Sequence, residues 1–387
     1  MHSLEKRFIY SKPINVYFES TVACDLTCKH CRANAIPRRS PIEINTEEAK
    51  KLLRDIKELG SHLIVSGGDP LKREDLFEIL LYARQERIPV SVTPTTSPLA
   101  TYETIKVIKE LGINTLGISL DGATKESQDG FRGVEGTFKN SINVLNYARD
   151  LDIPVQVNTT CTAETIKEIR GIYNLLTRKF SPPVKRWSIF LLVPTGRGKD
   201  LRMPTSEELL SLFDFLYRES KKAPFRITTT QALFYRVYFM MREMKNNKTR
   251  EEILSRGRSM GWGVRDGNGV LFVSHKGEIY PSGFLPISLG NIRDKNLAEV
   301  YGKHKILKAL RKPEIFKGRC GTCSFNLICG GSRARAYALT GDFLESDPLC
   351  PFDKKIFNNY LLFQDILKNN STDNEKKDIK GNKNPQG

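Results

Sequence analysis

The chain has 387 residues, of which 39% are hydrophobic and 27% are charged, a composition that excludes a collagen-like or wholly disordered protein. Its 61 basic and 44 acidic side chains give a net charge of +17, which favours anionic partners without choosing among them. No apolar run approaches the ~18 residues of a membrane span. The first residues, 1–7, are polar and charged, unlike a signal peptide, so we expect a cytoplasmic protein.

Short β-rich runs alternate with longer amphipathic segments from about residue 14 to residue 200, the pattern of successive βα units around a parallel sheet. The six predicted strands are residues 15–19, 63–66, 90–93, 115–120, 155–159 and 188–193. The predicted helices between them are residues 45–60, 74–87, 102–111, 137–151 and 163–177. Six units are fewer than the eight of a closed barrel, so the pattern predicts an α/β fold with an open, partial (βα)6 TIM-type barrel.

The pattern changes after residue 200. Two further helices are predicted at residues 206–220 and 232–246, and a Gly-rich region with a β-hairpin at residues 270–280 follows them. We therefore divide the chain into a barrel (1–200), a helical linker region (201–256), a second domain (257–368) and a polar tail (369–387) that is predicted to be disordered.

Eight cysteines in a chain without an export signal favour metal or catalytic thiols over disulfides. Cys24, Cys28 and Cys31 form a C-x3-C-x2-C group directly after the first strand, at the strand end where α/β barrels place their chemistry. A structural zinc site needs four ligands. A four-iron cluster held by only three cysteines would leave one iron open to an exogenous ligand.

Residues 24–31, Cys-Asp-Leu-Thr-Cys-Lys-His-Cys, resemble the cluster loop of the radical S-adenosylmethionine (SAM) enzymes. The resemblance implies a [4Fe–4S] cluster whose open iron chelates the amino and carboxylate groups of SAM. It also implies reductive cleavage of SAM to methionine and a 5′-deoxyadenosyl radical. The alternative is a reactive or zinc-binding loop that does not bind SAM.

Other segments resemble the SAM-binding parts of the same family. Four residues resemble its Gly-Gly-Glu-Pro segment, which binds the SAM amino group: Gly67, Gly68, Asp69 and Pro70. Asp replaces the commoner Glu here, so the reach of the carboxylate differs. Residues 194–198 resemble the family's Pro-x-Gly-Arg turn, with a plain turn as the alternative.

The end of the fourth strand carries a further set of candidates. Ser119 and Asp121, followed by Asp129 and Arg132, resemble the family's contacts to the ribose and carboxylate of SAM. For Arg132 a structural ion pair is the alternative.

A second cysteine group supplies four sulfurs: Cys320, Cys323, Cys329 and Cys350. Its spacing resembles the twitch domain, the shorter relative of the SPASM extension, which holds one auxiliary [4Fe–4S] cluster; zinc is the alternative. The two further SPASM cysteine positions align with Ser282 and Arg333, so we expect no second auxiliary cluster.

Three isolated residues receive plainer predictions. Cys161 is expected in the core, since free cysteine is often buried. His275 and His304 are expected at the surface and not as acids or ligands, although His275 lies close to the predicted hairpin.

The segment 329–336, Cys-Gly-Gly-Ser-Arg-Ala-Arg-Ala, resembles the enzymes of alternative heme and heme d1 synthesis. That resemblance implies an anionic iron tetrapyrrole as substrate, oxidative decarboxylation or side-chain removal, and a low-potential electron donor such as ferredoxin or flavodoxin. Arg333 and Arg335 suit substrate carboxylates, with structural salt bridges as the alternative.

Three alternatives remain. A peptide-modifying enzyme often carries a leader-peptide-binding domain, for which too few residues precede the first strand. A role in metal-cofactor maturation is a second alternative. A zinc-containing nucleic-acid-binding protein would explain the charge and the cysteines but not the Gly-Gly-Asp-Pro segment, and it predicts salt-sensitive binding to polynucleotides.

Overall fold

Strands and helices alternate along residues 8–352, the part of the chain that the computed structural model describes. The nine strands in this part are β1 (Asn15–Glu19), β2 (His62–Ser66), β3 (Val90–Val92), β4 (Thr115–Ser119), β5 (Val155–Cys161), β6 (Val184–Leu191), β7 (Arg226–Thr230), β8 (Val270–Val273) and β9 (Ile279–Tyr280). They form one open sheet in the order β7-β6-β5-β4-β3-β2-β1-β8-β9. The six predicted strands are all present and parallel, which confirms the partial barrel.

The helices of the barrel lie between these strands. They are α1 (Thr46–Leu59), α2 (Leu76–Gln85), α3 (Tyr102–Glu110), α4 (Lys125–Arg132), α5 (Thr137–Asp150), α6 (Ile169–Lys179), α7 (Ser206–Glu219) and α8 (Tyr235–Lys245). In α1, Asn45 and Glu48 form a capping box and Gly60 ends the helix with a left-handed backbone, φ 61°. The later helices are α9 (Arg250–Ser259), α10 (Leu297–Lys303), α11 (Lys305–Leu310), α12 (Gly318–Thr322) and α13 (Arg333–Thr340).

Three strands extend the sheet beyond the predicted six. Strand β7 pairs in parallel with β6, although its sequence, Arg-Ile-Thr-Thr-Thr, has a single strongly apolar residue. The predicted hairpin is present as β8 and β9, and β8 also pairs in parallel with β1, with Tyr17 opposite Phe272. The second cysteine group is thus connected to the barrel through a shared sheet edge.

The inner and outer faces of the sheet differ in polarity. Apolar residues at every second position, such as Val16, Leu63 and Val157, are fully buried in the core under the helices. The alternate residues are half-exposed and mostly polar: Asn15, Tyr17, His62, Ile64, Ser66, Gln156, Asn158 and Thr160. The inner face therefore leaves solvent-accessible space beside the carboxyl ends of the strands.

No helix within residues 8–352 is long and apolar enough to cross a membrane. The predicted tail at residues 369–387 lies outside the described part of the chain, as does the end of the predicted second domain after residue 352. The division into domains stays a prediction.

Candidate active site at the carboxyl end of the sheet

The cysteine loop, residues 23–36, leaves β1 and returns to it. Its ends are joined by a bridge in which the Cys24 amide donates to the Ile36 carbonyl at 2.8 Å. Cys24 and Cys28 are buried and Cys31 is half-buried. Each thiol accepts a hydrogen bond. The Leu26 amide donates to Cys24 at 3.4 Å and the Ala35 amide donates to Cys31 at 3.5 Å. Arg132 Nη1 donates to Cys28 at 3.8 Å.

The Gly-Gly-Asp-Pro segment supports the start of this loop. The Gly68 amide donates to the Thr21 carbonyl at 2.7 Å, and the Asp69 amide donates to the Ala23 carbonyl at 2.6 Å. A Cβ atom at Gly68 would lie 2.3 Å from the Ala23 carbonyl oxygen, so only glycine allows this approach of the two backbones. Pro70 follows as the first residue of a 3₁₀ turn, Pro70–Lys72.

Asp69 is buried and already has several hydrogen-bond partners. Its carboxylate accepts from Ser97 Oγ at 2.7 Å and from the amides of Leu71 and Thr95 at 3.2 and 3.3 Å. Burial raises the pKa of Asp69 despite these bonds. Burial, with a smaller contribution from Asp69, also raises the pKa of the Cys24 thiol to about 11. A contact of Asp69 with the SAM amino group stays a prediction.

At the end of β4, Asp121 is fully buried and links three segments of chain. One carboxylate oxygen accepts from the Thr160 amide at 2.6 Å, and the other lies 2.5 Å from Arg132 Nη2. Arg132 therefore forms the ion pair considered as the alternative to SAM binding, while its Nη1 faces Cys28. Ser119, the last residue of β4, is half-buried beside them.

Asp129 caps a helix, a role that the sequence did not indicate. Its carboxylate accepts from Thr137 Oγ1 at 2.7 Å and from the amides of Gly136 and Phe138 at 2.8 and 2.7 Å, so it caps the start of α5.

The turn at residues 194–198 clamps the cysteine loop. Arg197 Nε donates to the Cys28 carbonyl at 2.9 Å and Nη1 donates to the Ala35 carbonyl at 3.0 Å. Gly196 has a φ of 57°, and a Cβ there would lie 2.4 Å from the Cys31 carbonyl oxygen. The turn is thus fitted to the loop, as the resemblance to the Pro-x-Gly-Arg turn implies.

A third segment, residues 131–133, completes the support. The Lys29 amide donates to the Phe131 carbonyl at 3.0 Å, and Thr27 Oγ1 donates to the Gly133 carbonyl at 2.9 Å. Segments that follow β2, β4 and β6 therefore fix one loop with three thiols.

Sequence reasoning missed a polar cluster beside this loop. Glu19, the last residue of β1, is buried, with Oε2 2.8 Å from Arg32 Nη1 and Oε1 2.5 Å from His275 Nδ1. Burial acts to raise the pKa of Glu19, but the charges and hydrogen bonds of Arg32 and His275 lower it below its usual value. The available signals were an acid at the end of an apolar strand and an arginine next to Cys31.

The prediction for His275 as a surface residue is wrong, because its side chain is only 13% exposed and bonds Glu19. His304 is half-buried and accepts a hydrogen bond from the Ile306 amide at the start of α11. Cys161 is fully buried in the core, as predicted.

The second cysteine group lines a single cavity: Cys320, Cys323, Cys329 and Cys350. Backbone amides of Asp347, Phe325 and Gly331 donate to the first three thiols, each at 3.4 Å. Burial raises the pKa of Cys323 to about 11 and that of Cys350 to about 12. Cysteines ligate metals as thiolates. The positive charge of a bound metal would lower the pKa of these thiols and so favour the thiolate form.

Within residues 8–352, no three or more His, Cys, Asp or Glu side chains are grouped as they would be around a metal ion. The fit of both cysteine groups to an iron–sulfur cluster therefore depends on the chemistry of the sulfur donors, the amides that bond them and, for the second group, the cavity they share.

Arg333 and Arg335 do not bind substrate carboxylates, and that prediction is wrong. Both are fully buried. Arg335 pairs with the buried Asp347 at 2.8 and 3.0 Å and donates to two backbone carbonyls. Arg333 donates to the carbonyls of Phe343 and Glu345 and to Cys320 Sγ at 3.3 Å. Arg333 thus satisfies carbonyls of the loop before Cys350, and Arg335 joins Asp347 of that loop to the carbonyls of Leu192 and Gln231.

Comparison with known proteins agrees with this geometry. The family model "Radical SAM superfamily" matches residues 18–176. The chain is 34% identical to an AdoMet-dependent heme synthase of Methanosarcina barkeri over 87% of this chain and 96% of the relative. It is 31% identical to the Fe-coproporphyrin III synthase of the same organism over 89% of each chain, and 28% identical to the pre-heme d1 synthase of Dinoroseobacter shibae over 88% and 86%.

The chain therefore belongs to the radical SAM superfamily. It is an iron–sulfur enzyme that uses a [4Fe–4S] cluster and SAM, as the cysteine loop implies. Its fold is similar to that of Streptococcus suis SuiB bound to the precursor peptide SuiA, with a TM-score of 0.70 and 18% identity over 91% of this chain and 79% of that one.

Proposed function

We propose that this enzyme acts in heme biosynthesis, on carboxyl-bearing side chains of an iron tetrapyrrole, by oxidative decarboxylation or side-chain removal. The observation that carries the proposal is the three-thiol loop at the carboxyl end of β1, in a chain that is 34% identical over 87% of its length to relatives named AdoMet-dependent heme synthase.

Within this site each predicted residue has a proposed role. Cys24, Cys28 and Cys31 would hold the cluster. The residues that would bind SAM are Gly67, Gly68, Asp69, Pro70, Ser119, Asp121 and Arg132. When bound, the cluster and SAM together supply a 5′-deoxyadenosyl radical that takes a hydrogen atom from the substrate.

The chain's own contribution is to bind and orient. The glycine segment fixes the first cysteine, Arg197 fixes the backbone of the second, and Arg132 turns one guanidinium nitrogen to Cys28 while Asp121 holds the other. The half-exposed inner face of the sheet gives the substrate a place next to the loop. Such positioning of reactants supplies a large share of enzymatic rate enhancement.

We also propose that Cys320, Cys323, Cys329 and Cys350 hold one auxiliary [4Fe–4S] cluster, with zinc as the alternative. Support comes from four sulfur donors around one cavity and from the amide hydrogen bonds to them. Analysis of iron, sulfide and zinc in anaerobically purified protein separates the two.

A basic segment next to this cavity suggests the electron donor. Residues 303–319 contain seven Lys or Arg and one Glu, and the segment leads directly into Cys320. Lys305 and Lys308 are exposed and lie three positions apart on α11, and the exposed Lys312 follows the end of that helix. We propose that an acidic low-potential donor such as ferredoxin or flavodoxin docks here.

The test of the proposed substrate is anaerobic incubation of the reconstituted enzyme with SAM, reductant and ferric coproporphyrin III, siroheme-type or related iron tetrapyrroles. Mass spectrometry should show loss of carboxyl-derived mass from one of them, and the Cys28→Ala variant should show none. No change in any tetrapyrrole would overturn the proposal and favour a peptide or metal-cofactor substrate.

A further inference from the structure

His275 and Glu19 form a hydrogen-bonded pair that the assigned chemistry does not use. The pair lies where β1 ends, and Glu19 follows Asn15 and Tyr17 at two-residue spacing, on the face whose side chains line the inside of the sheet. His275 comes from the turn between β8 and β9. The pair therefore joins the mouth of the barrel to the hairpin that precedes the second cysteine group.

The hydrogen bond determines which ring nitrogen of His275 is free. A carboxylate only accepts, so Nδ1 donates its hydrogen to Glu19 Oε1 at 2.5 Å, and in the neutral imidazole Nε2 is then the nitrogen that carries the lone pair. Within residues 8–352 no group hydrogen-bonds to Nε2, and Nε2 is not a fully buried atom without a partner. Nε2 is therefore not enclosed in the core, and 13% of the His275 side-chain surface is exposed.

The other histidines of the described chain lack this combination. His30 has a carboxylate near one nitrogen, with Nε2 4.0 Å from Asp121 Oδ2, but its ring is stacked on Phe131 with centroids 4.7 Å apart and its Nδ1 is buried. His62 bonds Ser91, and His304 caps α11. Only His275, among residues 8–352, has a carboxylate on one nitrogen and an open second nitrogen at the mouth of the barrel.

A histidine that donates one nitrogen to a carboxylate and presents the other is the usual arrangement of a metal-ligating imidazole, because the carboxylate fixes the ring and makes the ligand more basic. The substrate proposed above carries such a metal at the centre of a flat ring. Tyr280, which is half-buried and stacked 6.1 Å from the buried Phe272 ring on the same hairpin, provides aromatic surface close by.

We propose that His275 binds the iron of the tetrapyrrole substrate through Nε2, as an axial ligand oriented by Glu19. This inference rests on the proposed function. Because Arg32, the neighbour of Cys31, shares the Glu19 carboxylate, the bond to iron would also set the position of the tetrapyrrole relative to the cysteine loop.

The experiment measures ligation and not turnover. Ferric coproporphyrin III is bound anaerobically to the reconstituted protein, and absorption difference spectra and low-temperature electron paramagnetic resonance report the axial ligand. The wild type should show a nitrogen ligand. The His275→Asn variant keeps an N–H donor for Glu19 but should lose this signature and bind the ferric ligand about tenfold or more weakly.

Two matched comparisons separate ligation from folding. The His304→Asn variant, altered at another half-buried histidine, should keep the wild-type spectrum. Metal-free coproporphyrin III has the same carboxylates and no iron, so its affinity should be equal in wild type and His275→Asn. In His275→Gly, added imidazole should restore the nitrogen signature.

Each result decides a different claim. An unchanged spectrum and affinity of the ferric complex in His275→Asn overturns the ligation by His275. A wild-type protein that binds no ferric tetrapyrrole overturns the proposed substrate itself. Equal weakening for the metal-free ligand would show that His275 contacts the organic ring and not the iron, which also overturns the inference.

Discussion

At Gly68 two backbones approach so closely that no side chain fits between them. Replacing this glycine by alanine would put a Cβ 2.3 Å from the Ala23 carbonyl oxygen, directly before the first cysteine. We expect Gly68→Ala to cost about 1–3 kcal/mol in the free energy of unfolding, as overpacking does. We also expect less iron at the first cysteine group, measured as iron and sulfide per chain after anaerobic reconstitution.

Gly130 in α4 is the matched control, since a Cβ there would meet nothing within 4 Å. Gly130→Ala should keep full iron content and should be neutral or slightly stabilising, because alanine favours helix. Equal iron content in both variants would contradict the role given to Gly68.

The buried pair of Arg335 and Asp347 gives a second prediction at the scale of single residues. Both side chains are 0% exposed, so Arg335→Met leaves a buried carboxylate without its partner. The expected loss is about 3–5 kcal/mol in the free energy of unfolding, measured by denaturant titration.

An exposed lysine provides the comparison: Lys305→Met should change the stability by about 0.5 kcal/mol or less. If Arg335→Met instead left stability unchanged and weakened only substrate binding, the structural role of Arg335 would be wrong.

These two arginines also show the limit of inference from sequence. A guanidinium near a cysteine motif suits a substrate carboxylate as well as a buried loop, and only the position of Asp347, twelve residues later, decides between them. The cysteines were simpler to recognise, because their spacing within 24–31 is local and directly reflects the geometry of the loop.

Among the elements, the turn at residues 194–198 has the most specific task. Arg197 donates hydrogen bonds to the carbonyls of Cys28 and Ala35, which flank Cys31 in the cysteine loop. In Arg197→Met we expect the first cluster to be lost while the proposed auxiliary cluster stays, so that about half of the bound iron disappears.

Lys199 lies in the same short helix, Gly196–Asp200, and is exposed. Lys199→Met should therefore keep all the iron. Full iron in Arg197→Met, or loss of iron from the second cysteine group, would show that Arg197 does not act on the loop.

The sequence predicted the six central strands because each is a short β-rich run next to an amphipathic helix. It did not predict β7, whose threonines give little apolar signal, or the pairing of β8 with β1, which joins residues more than 250 positions apart. The Glu19–His275 pair was missed for the same reason, since His275 reaches Glu19 only after that pairing forms.

For the whole molecule, the uneven charge distribution leads to a prediction about electron supply. Reversing two exposed charges near the second cysteine group, Lys308→Glu with Lys312→Glu, should slow turnover driven by reduced ferredoxin or flavodoxin about tenfold at low ionic strength. Turnover driven by dithionite, a small reductant, should not change.

The control pair is Lys106→Glu with Lys139→Glu on α3 and α5, which are also exposed but belong to the barrel helices. These variants should behave like the wild type with both reductants. Added salt should reduce the difference between the two pairs, since the screening length is about 10 Å at 0.1 M. Equal rates with the protein donor would exclude docking at the basic segment.

The most direct test of the central claim is formation of 5′-deoxyadenosine from SAM by the anaerobically reconstituted protein under a strong reductant. The account predicts that the wild-type chain forms 5′-deoxyadenosine and that Cys28→Ala does not. The variant keeps only two of the three thiols, and two are too few to hold a cluster with one open iron. The Cys161→Ala variant, altered at a buried cysteine of the core, should retain the activity. Equal formation in Cys28→Ala and wild type, or purified protein with zinc and no iron, would contradict the account.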